Sequence, residues 1–280
     1  MRIKITSDST CDLSKEQIEK YGIDVMPLAV AVGEKNYRDG VDVTPDDLYA
    51  HVSAGGDLPK TAANNIAEYA EIFGRYAGEY DAVIHLNISS EFSSCYQNAC
   101  LAAGDFDNVY VVDSRNLSTG HGLLVLKAAE LAEAGMEAAK IADILRETAE
   151  KVDASFILDQ LEYLKKGGRC SAVAVLGANM LKLKPCIEVK EGKMGVGKKY
   201  RGAFAKCLKE YITDRIGGRD DLELDRVFVT HSGISQELLE LAVETIKELQ
   251  SFKEVCVTRA GCTVSSHCGP DTIGVLFIRK

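Results

Sequence analysis

Short apolar strands and helix signals alternate through the first half of the chain, and that alternation constrains the fold more than any other feature. Ile3–Ser7 reads as a strand, followed by the polar loop Asp8-Ser9-Thr10 and a helix from about Lys15. Val25–Val32 reads as extended, and Asp39-Gly40 as a turn. Thr44-Pro45-Asp46-Asp47 carries a helix start: a capping residue, Pro at the first helical position, acids in the first turn. Helical spacing runs through Ile66, Tyr69, Ala70 and Phe73 within Asn65–Tyr80. Ala82–Ile88 (strand), Ser93–Ala103 (helix), Val109–Val112 (strand) and Gly122–Ala134 (helix) continue the series. Alternation of this kind predicts parallel strands with helical crossovers. Such sheets bind ligands at the carboxyl ends of their strands, near helix N-termini.

The pattern changes after about Ala154. A helix over Glu162–Lys166 stops at Gly167-Gly168-Arg169, and Ile187–Val189 and Val196–Tyr200 read as strands joined through Glu191-Gly192-Lys193. A helix (Phe204–Ile216), a strand (Arg226–Thr230), a helix (Gln236–Leu249), the segment Glu254–Thr258 and a last strand (Gly274–Ile278) follow. The sequence predicts an α/β protein of two domains: residues 1–152 with a Rossmann-like parallel sheet, and residues 153–280 of α+β type. No Pro- or Gly-rich linker separates them, so a broad interface is expected.

Bulk properties narrow the function. With 46% hydrophobic and 27% charged residues the chain can bury a core and spare apolar surface for a cavity. A net charge of -9 argues against nucleic acid and against adsorption to anionic membranes. The longest apolar runs, such as Val173–Leu176, are far shorter than the roughly 20 residues of a membrane span. Nine cysteines without a CxxC pair, and a polar start with no secretory signal, point to reduced thiols and a cytoplasmic location.

The candidate chemistry lies in hydroxyls placed after strands and before helices: Ser7, Ser9 and Thr10; Thr61; Ser89, Ser90, Ser93 and Ser94; and Ser114. Helix N-termini attract anions, and hydroxyls add donors without charge, so several such loops converging would hold a carboxylate or phosphate. Each hydroxyl could equally be a plain N-cap. Gly192, Gly197 and Lys198 match most of a phosphate-binding loop, but Lys199 stands where Ser or Thr is needed, and a hairpin is the expected reading. His85, His121, His231 and His267 could serve Ser93 in a hydrolase, although no Gly-x-Ser-x-Gly elbow occurs. His51 is expected at the surface. No two histidines stand at i,i+4, so no metal is expected. His267, between polar residues and Gly269-Pro270, is expected on a shaped turn.

Taken in order, these pieces resemble the DegV family of bacterial fatty-acid-binding proteins. The resemblance is carried by Ser7-Asp8-Ser9-Thr10-Cys11-Asp12-Leu13, Pro59-Lys60-Thr61, Ile88-Ser89-Ser90-Glu91-Phe92-Ser93 with Tyr96-Gln97-Asn98-Ala99, Val112-Asp113-Ser114, Leu161–Arg169, Lys184-Pro185, Tyr200-Arg201-Gly202 and His267-Cys268-Gly269-Pro270. It implies two α/β domains with a long-chain fatty acid in a tunnel between them. It implies that Thr61 and Ser93 hold the carboxylate, with His267 close by. The family's two arginines fall on Arg169 and Arg201, which the resemblance gives to phosphate or partner contact; read alone, they could be structural ion-pair residues. The implied role is a carrier without catalytic residues, cofactor or metal. It would hand its fatty acid to a separate fatty acid kinase, which makes an acyl phosphate for phospholipid synthesis. Neutral donors at the headgroup would leave a carboxylate oxygen freer to attack a phosphoryl group than a bidentate arginine would. The sequence departs from the family pattern after Thr61 (Ala62-Ala63-Asn64) and after Ser93 (Ser94-Cys95), where loops that shape headgroup geometry and chain-length preference lie. A serine esterase or acyl-transfer hydrolase using Ser93 is the alternative.

Overall fold

The computed structural model describes residues 1–174 and 183–280; Leu176, which ends the apolar run Val173–Leu176, lies outside them. Four parallel strands form the first sheet, in the order β2 (Asp24–Met26), β1 (Ile3–Asp8), β6 (Ala82–Asn87), β7 (Val109–Asp113). All six residues of β6 are buried, as expected of a strand covered on both faces. Helices α3 (Ile66–Ala77) and α4 (Cys95–Ala103) pack on each other, and α5 (Ser118–Glu133) packs on α1 (Lys15–Tyr21) and α6 (Ala138–Ala149).

The second sheet is mixed. Its order is β10 (Lys193–Arg201), β9 (Leu183–Lys190), β8 (Val152–Leu158), β13 (Thr272–Arg279), β11 (Leu222–His231), β12 (Glu254–Arg259), and only the β11–β12 pair is parallel. Period-two alternation divides its side chains between two cores. Ile157, Val227, Val229, Ile273, Val275 and Phe277 pack under α9 (Phe204–Ile216) and α10 (Gln236–Leu249). Their neighbours Phe156, Leu158, Phe228, Leu276 and Ile278 join the core of the first sheet. Residues 193–201 form a strand of this sheet, so the glycine-lysine stretch is a hairpin arm.

Helix α5 explains how the two sheets come together. Every residue from Ser118 to Leu126 is buried, and a helix buried all round must lie between two apolar surfaces. It packs on β1 and β6 on one side and on β8, β11 and β13 on the other.

A third, small antiparallel sheet has the order β4 (Lys35–Arg38), β3 (Ala29–Val32), β5 (Lys60–Ala62). The extended segment Val25–Val32 therefore divides between two sheets. Near this small sheet lie α2 (Pro45–Ser53), capped by Thr44 as the sequence indicates, and α11 (Cys262–Cys268), which also contacts α7 (Glu162–Gly167). The short α8 (Ser171–Ala174) follows α7. Among the described residues, no helix is long and apolar enough to cross a membrane.

Candidate functional site

Thr61 owes its place to β3. The segment Lys60-Thr61-Ala62 has no apolar pattern of its own, but it adds to an edge of β3 with Thr61 opposite Val30. Facing it is His267, which sits not on a turn but in the last turn of α11; Gly269, at φ +74°, ends that helix. Thr61 Oγ1 lies 2.8 Å from His267 Nε2.

Helix α11 has no capping side chain of its own. Two carboxyl groups from the N-terminal half, those of Asp12 and Asp39, take that role. Asp12 Oδ1 accepts the Gly261 N–H at 2.8 Å, and Asp39 accepts those of Cys262 and Thr263 at 2.7 and 3.0 Å. They satisfy donors that a helix start leaves open. Burial raises the Asp12 carboxyl to about 8, against the hydrogen bonds from Ser118 and Gly261, which lower it. Folding thus favours the protonated acid. The stability it contributes is present below the unfolded value of 3.8 and is lost as pH rises through about 8. Asp12→Asn should therefore gain on the wild type, by several kcal/mol, between pH ~4 and pH ~9. Urea titrations at both pH values check this; a difference that does not change with pH refutes it.

Burial, and next the charge of Arg169, push His267 down to about 4, so its imidazole is neutral at pH 7. Nδ1 lies against the Gly167 backbone without a geometrically sound partner, and a Cβ on Gly167 would stand 2.6 Å from it. Gly167 is thus the residue that lets the ring in. Arg169 is exposed and donates from Nη1 to Gly167 O at 2.9 Å.

Ser93 precedes α4, and its Oγ accepts the Cys95 N–H at 3.3 Å. Its own proton points to Cys95 Sγ at 3.1 Å. Burial pushes the Cys95 thiol up to about 11, and a neutral thiol is a poor acceptor. The Ser93 proton is therefore readily redirected to a better one.

Thr61, Ser93, His267, Arg169 and Thr263 share one cavity whose other walls are apolar: Leu28, Ile88, Phe92, Leu117, Met194, Val264 and Cys268 among them. Its space is about 580 Å³, mouth included. A second, smaller cavity shares Leu117, Val264 and Cys268 with it and reaches Phe156 and Leu276 of the second sheet.

The other candidates go elsewhere. Ser7 and Thr10 are sealed in a buried network: Ser7 Oγ lies 3.1 Å from His121 Nε2, and Thr10 Oγ1 3.3 Å from His121 Nδ1 and against Asp8. Asn87 and the Ile88 N–H bond to Asp8, and Thr6 lies 2.8 Å from His85. Ser9 donates to Asp39, Ser89 to the carbonyl of Gly192, and Ser114 to that of Asn116. Arg201 is exposed at the end of β10, away from the cavity lining. His51 is half-buried, its Nε2 enclosed near Gly56. Among the described residues no hydrogen bond joins Ser93 to a histidine, and no group of three or more His, Cys, Asp or Glu could hold a metal. The sequence assigns Asp12, Asp39 and Cys95 no role in the site, although Asp12 lies in the opening family motif, Asp39 at a turn and Cys95 in the departure after Ser93. Thr263 carries no local signal.

The pattern of the DegV family, described as one of uncharacterised proteins, matches residues 2–280. The chain belongs to the DegV family. A DegV domain-containing protein of Clostridium perfringens is 33% identical to it, over all of this chain and 99% of the relative. A DegV family protein of Thermus thermophilus, whose structure is described by its fatty acid binding, superposes with a TM-score of 0.91 at 30% identity, covering both chains fully. A stearic acid-binding protein of Eubacterium ventriosum superposes with a TM-score of 0.82 at 30% identity, over 99% of this chain and 98% of that one. The DegV fold of these neighbours is the architecture described above, with a parallel N-terminal sheet and a mixed C-terminal one.

Proposed function

We propose that this chain is a cytoplasmic carrier of a long-chain fatty acid, with its carboxylate at Thr61, Ser93 and His267 and its tail in the apolar cavities between residues 1–152 and 153–280. The observation that carries this reading is the Thr61–His267 pair, with Ser93, on a cavity that is otherwise apolar. An unpaired carboxylate in such surroundings would cost several kcal/mol, and hydroxyl donors offset that. Each buried methylene returns roughly 0.8 kcal/mol, so affinity comes from the tail. With the His267 proton on Nε2, the imidazole donates to Thr61 and the Thr61 proton is left for the ligand, a chain of hydrogen bonds that strengthen one another.

The carrier presents this carboxylate to a separate fatty acid kinase, which forms an acyl phosphate for phospholipid synthesis. Arg169 on the cavity rim and exposed Arg201 meet the phosphate or the kinase; among the described residues neither makes an ion pair. Arg169→Ala and Arg201→Ala are each expected to keep lipid binding and to slow phosphoryl transfer on the order of tenfold, the effect of losing about 1.4 kcal/mol of transition-state contact. Unchanged transfer in a reconstituted assay would count against the assignment. The hydrolase reading is disfavoured because the Ser93 proton faces a thiol instead of an imidazole.

Native mass spectrometry of the purified protein, with gas chromatography of its organic extract, tests the binding role. A stoichiometric fatty acid supports it. An empty protein that also refuses added fatty acid overturns it, and turnover of an activated ester abolished by Ser93→Ala would replace it with the hydrolase.

A further inference from the structure

Thr263 stands out within the cavity wall. It is 6% exposed, it lines the cavity, and its Oγ1 has no hydrogen-bond partner among the described residues. Four other helical hydroxyls in this protein donate to the carbonyl one turn back: Thr148 to Ile144, Thr213 to Lys209, Thr245 to Leu241, Ser266 to Cys262. Thr263 lies in the first turn of α11, where no preceding helical turn supplies such a carbonyl. Its backbone is fixed, because its N–H is held by Asp39 at 3.0 Å. An enclosed hydroxyl without a partner is costly, and an alkyl chain laid against it does nothing to relieve that cost.

We propose that Thr263 makes this cavity selective for an oxygenated acyl chain, one that carries a hydroxyl or keto oxygen at a fixed distance from its carboxylate. The proposal rests on the fatty-acid reading above. Thr263 and His267 are four residues apart on one helix, so they share a face about 6 Å apart along the axis. A headgroup held by Thr61, Ser93 and His267 already has three donors, so the oxygen that satisfies Thr263 is assigned to another part of the ligand, farther down the chain. A site that hydrogen-bonds a ligand oxygen discriminates against the analogue without it, because its own polar group is then left unpaired.

The test is a displacement titration of the wild type, Thr263→Val and Thr263→Ser with stearate and a series of monohydroxystearates whose hydroxyl moves stepwise along the chain. The wild type should bind one positional isomer on the order of tenfold more tightly than stearate, an effect that corresponds to about 1.4 kcal/mol. Thr263→Val should flatten that ranking and tighten stearate binding; Thr263→Ser should preserve the ranking. A flat ranking in the wild type overturns the proposal without need of any variant, and so does a Thr263→Val protein that ranks the isomers as the wild type does. Equal weakening of every acid by Thr263→Val would overturn it in favour of a direct carboxylate contact. A wild type that binds none of the acids would sink the fatty-acid reading itself, an outcome distinct from a flat ranking.

Discussion

Removing both hydroxyls from the mouth of the cavity, as Thr61→Ala with Ser93→Ala, is expected to weaken fatty-acid binding on the order of a hundredfold while leaving the protein folded. A hydrogen bond to an ionised group contributes roughly 1.5–3 kcal/mol, and losing two leaves a carboxylate poorly solvated in an apolar recess. Neither side chain carries the core. Thr61 is half-buried on a three-residue edge strand, and Ser93 stands in a loop before α4. Each single variant should lose about tenfold, and the double more than either. Displacement of a fluorescent fatty acid measures the affinities, and a thermal melt confirms the fold. Wild-type affinity in the double variant would mean that the carboxylate binds elsewhere.

The second large effect concerns stability and runs against a general rule. Alanine in place of glycine inside a helix ordinarily stabilises by up to about 1 kcal/mol. Gly122 lies within α5, yet Gly122→Ala is expected to destabilise by about 3 kcal/mol. A Cβ there would stand 2.5 Å from the carbonyl oxygen of Cys11 and 2.9 Å from Leu13 Cδ2. The carbonyl belongs to backbone, so it cannot swing aside as a side chain would. The helix itself is held between two sheets and has nowhere to retreat. Chemical denaturation reads the change in midpoint; a variant as stable as the wild type would show that the approach is softer than it looks.

The parallel sheet was legible because its central strand is covered on both sides and so reads as a mainly apolar segment, Ala82–Ile88, broken only by His85 and Asn87. The two strands inside Val25–Val32 were not separated, since Pro27-Leu28 merely turns the chain from one sheet to another. Strand β5 was invisible: Lys60-Thr61-Ala62 becomes a strand only by adding to β3. Helix α11 was read as a turn because its caps are Asp12 and Asp39, which stand 249 and 223 residues from the N–H groups they hold. No local pattern announces a cap supplied from that far away. The hydroxyl loops show the opposite failure. Ser7 and Thr10 have the local setting of an anion site, but a side chain after a strand can turn inward, and these two face buried His121. Thr61, Ser93 and His267 were placed by resemblance to a family; of these the structure brings Thr61 and His267 into direct contact and sets Ser93 on the same cavity.

Because α5 lies in the core that the two sheets share, the two halves of the molecule are poorly suited to swing apart as rigid bodies. Opening such a hinge would expose a helix that is buried on every side over Ser118–Leu126, at a cost approaching that of unfolding. In the proposed carrier, exchange of a bound fatty acid would then use local motion of the cavity wall, which includes Phe92, Met194 and the loop bearing Ser93. Dissociation governed in this way is slow when the molecule is left alone. A partner that engaged that wall would quicken it, so the rate of the proposed delivery would belong to the encounter more than to the affinity.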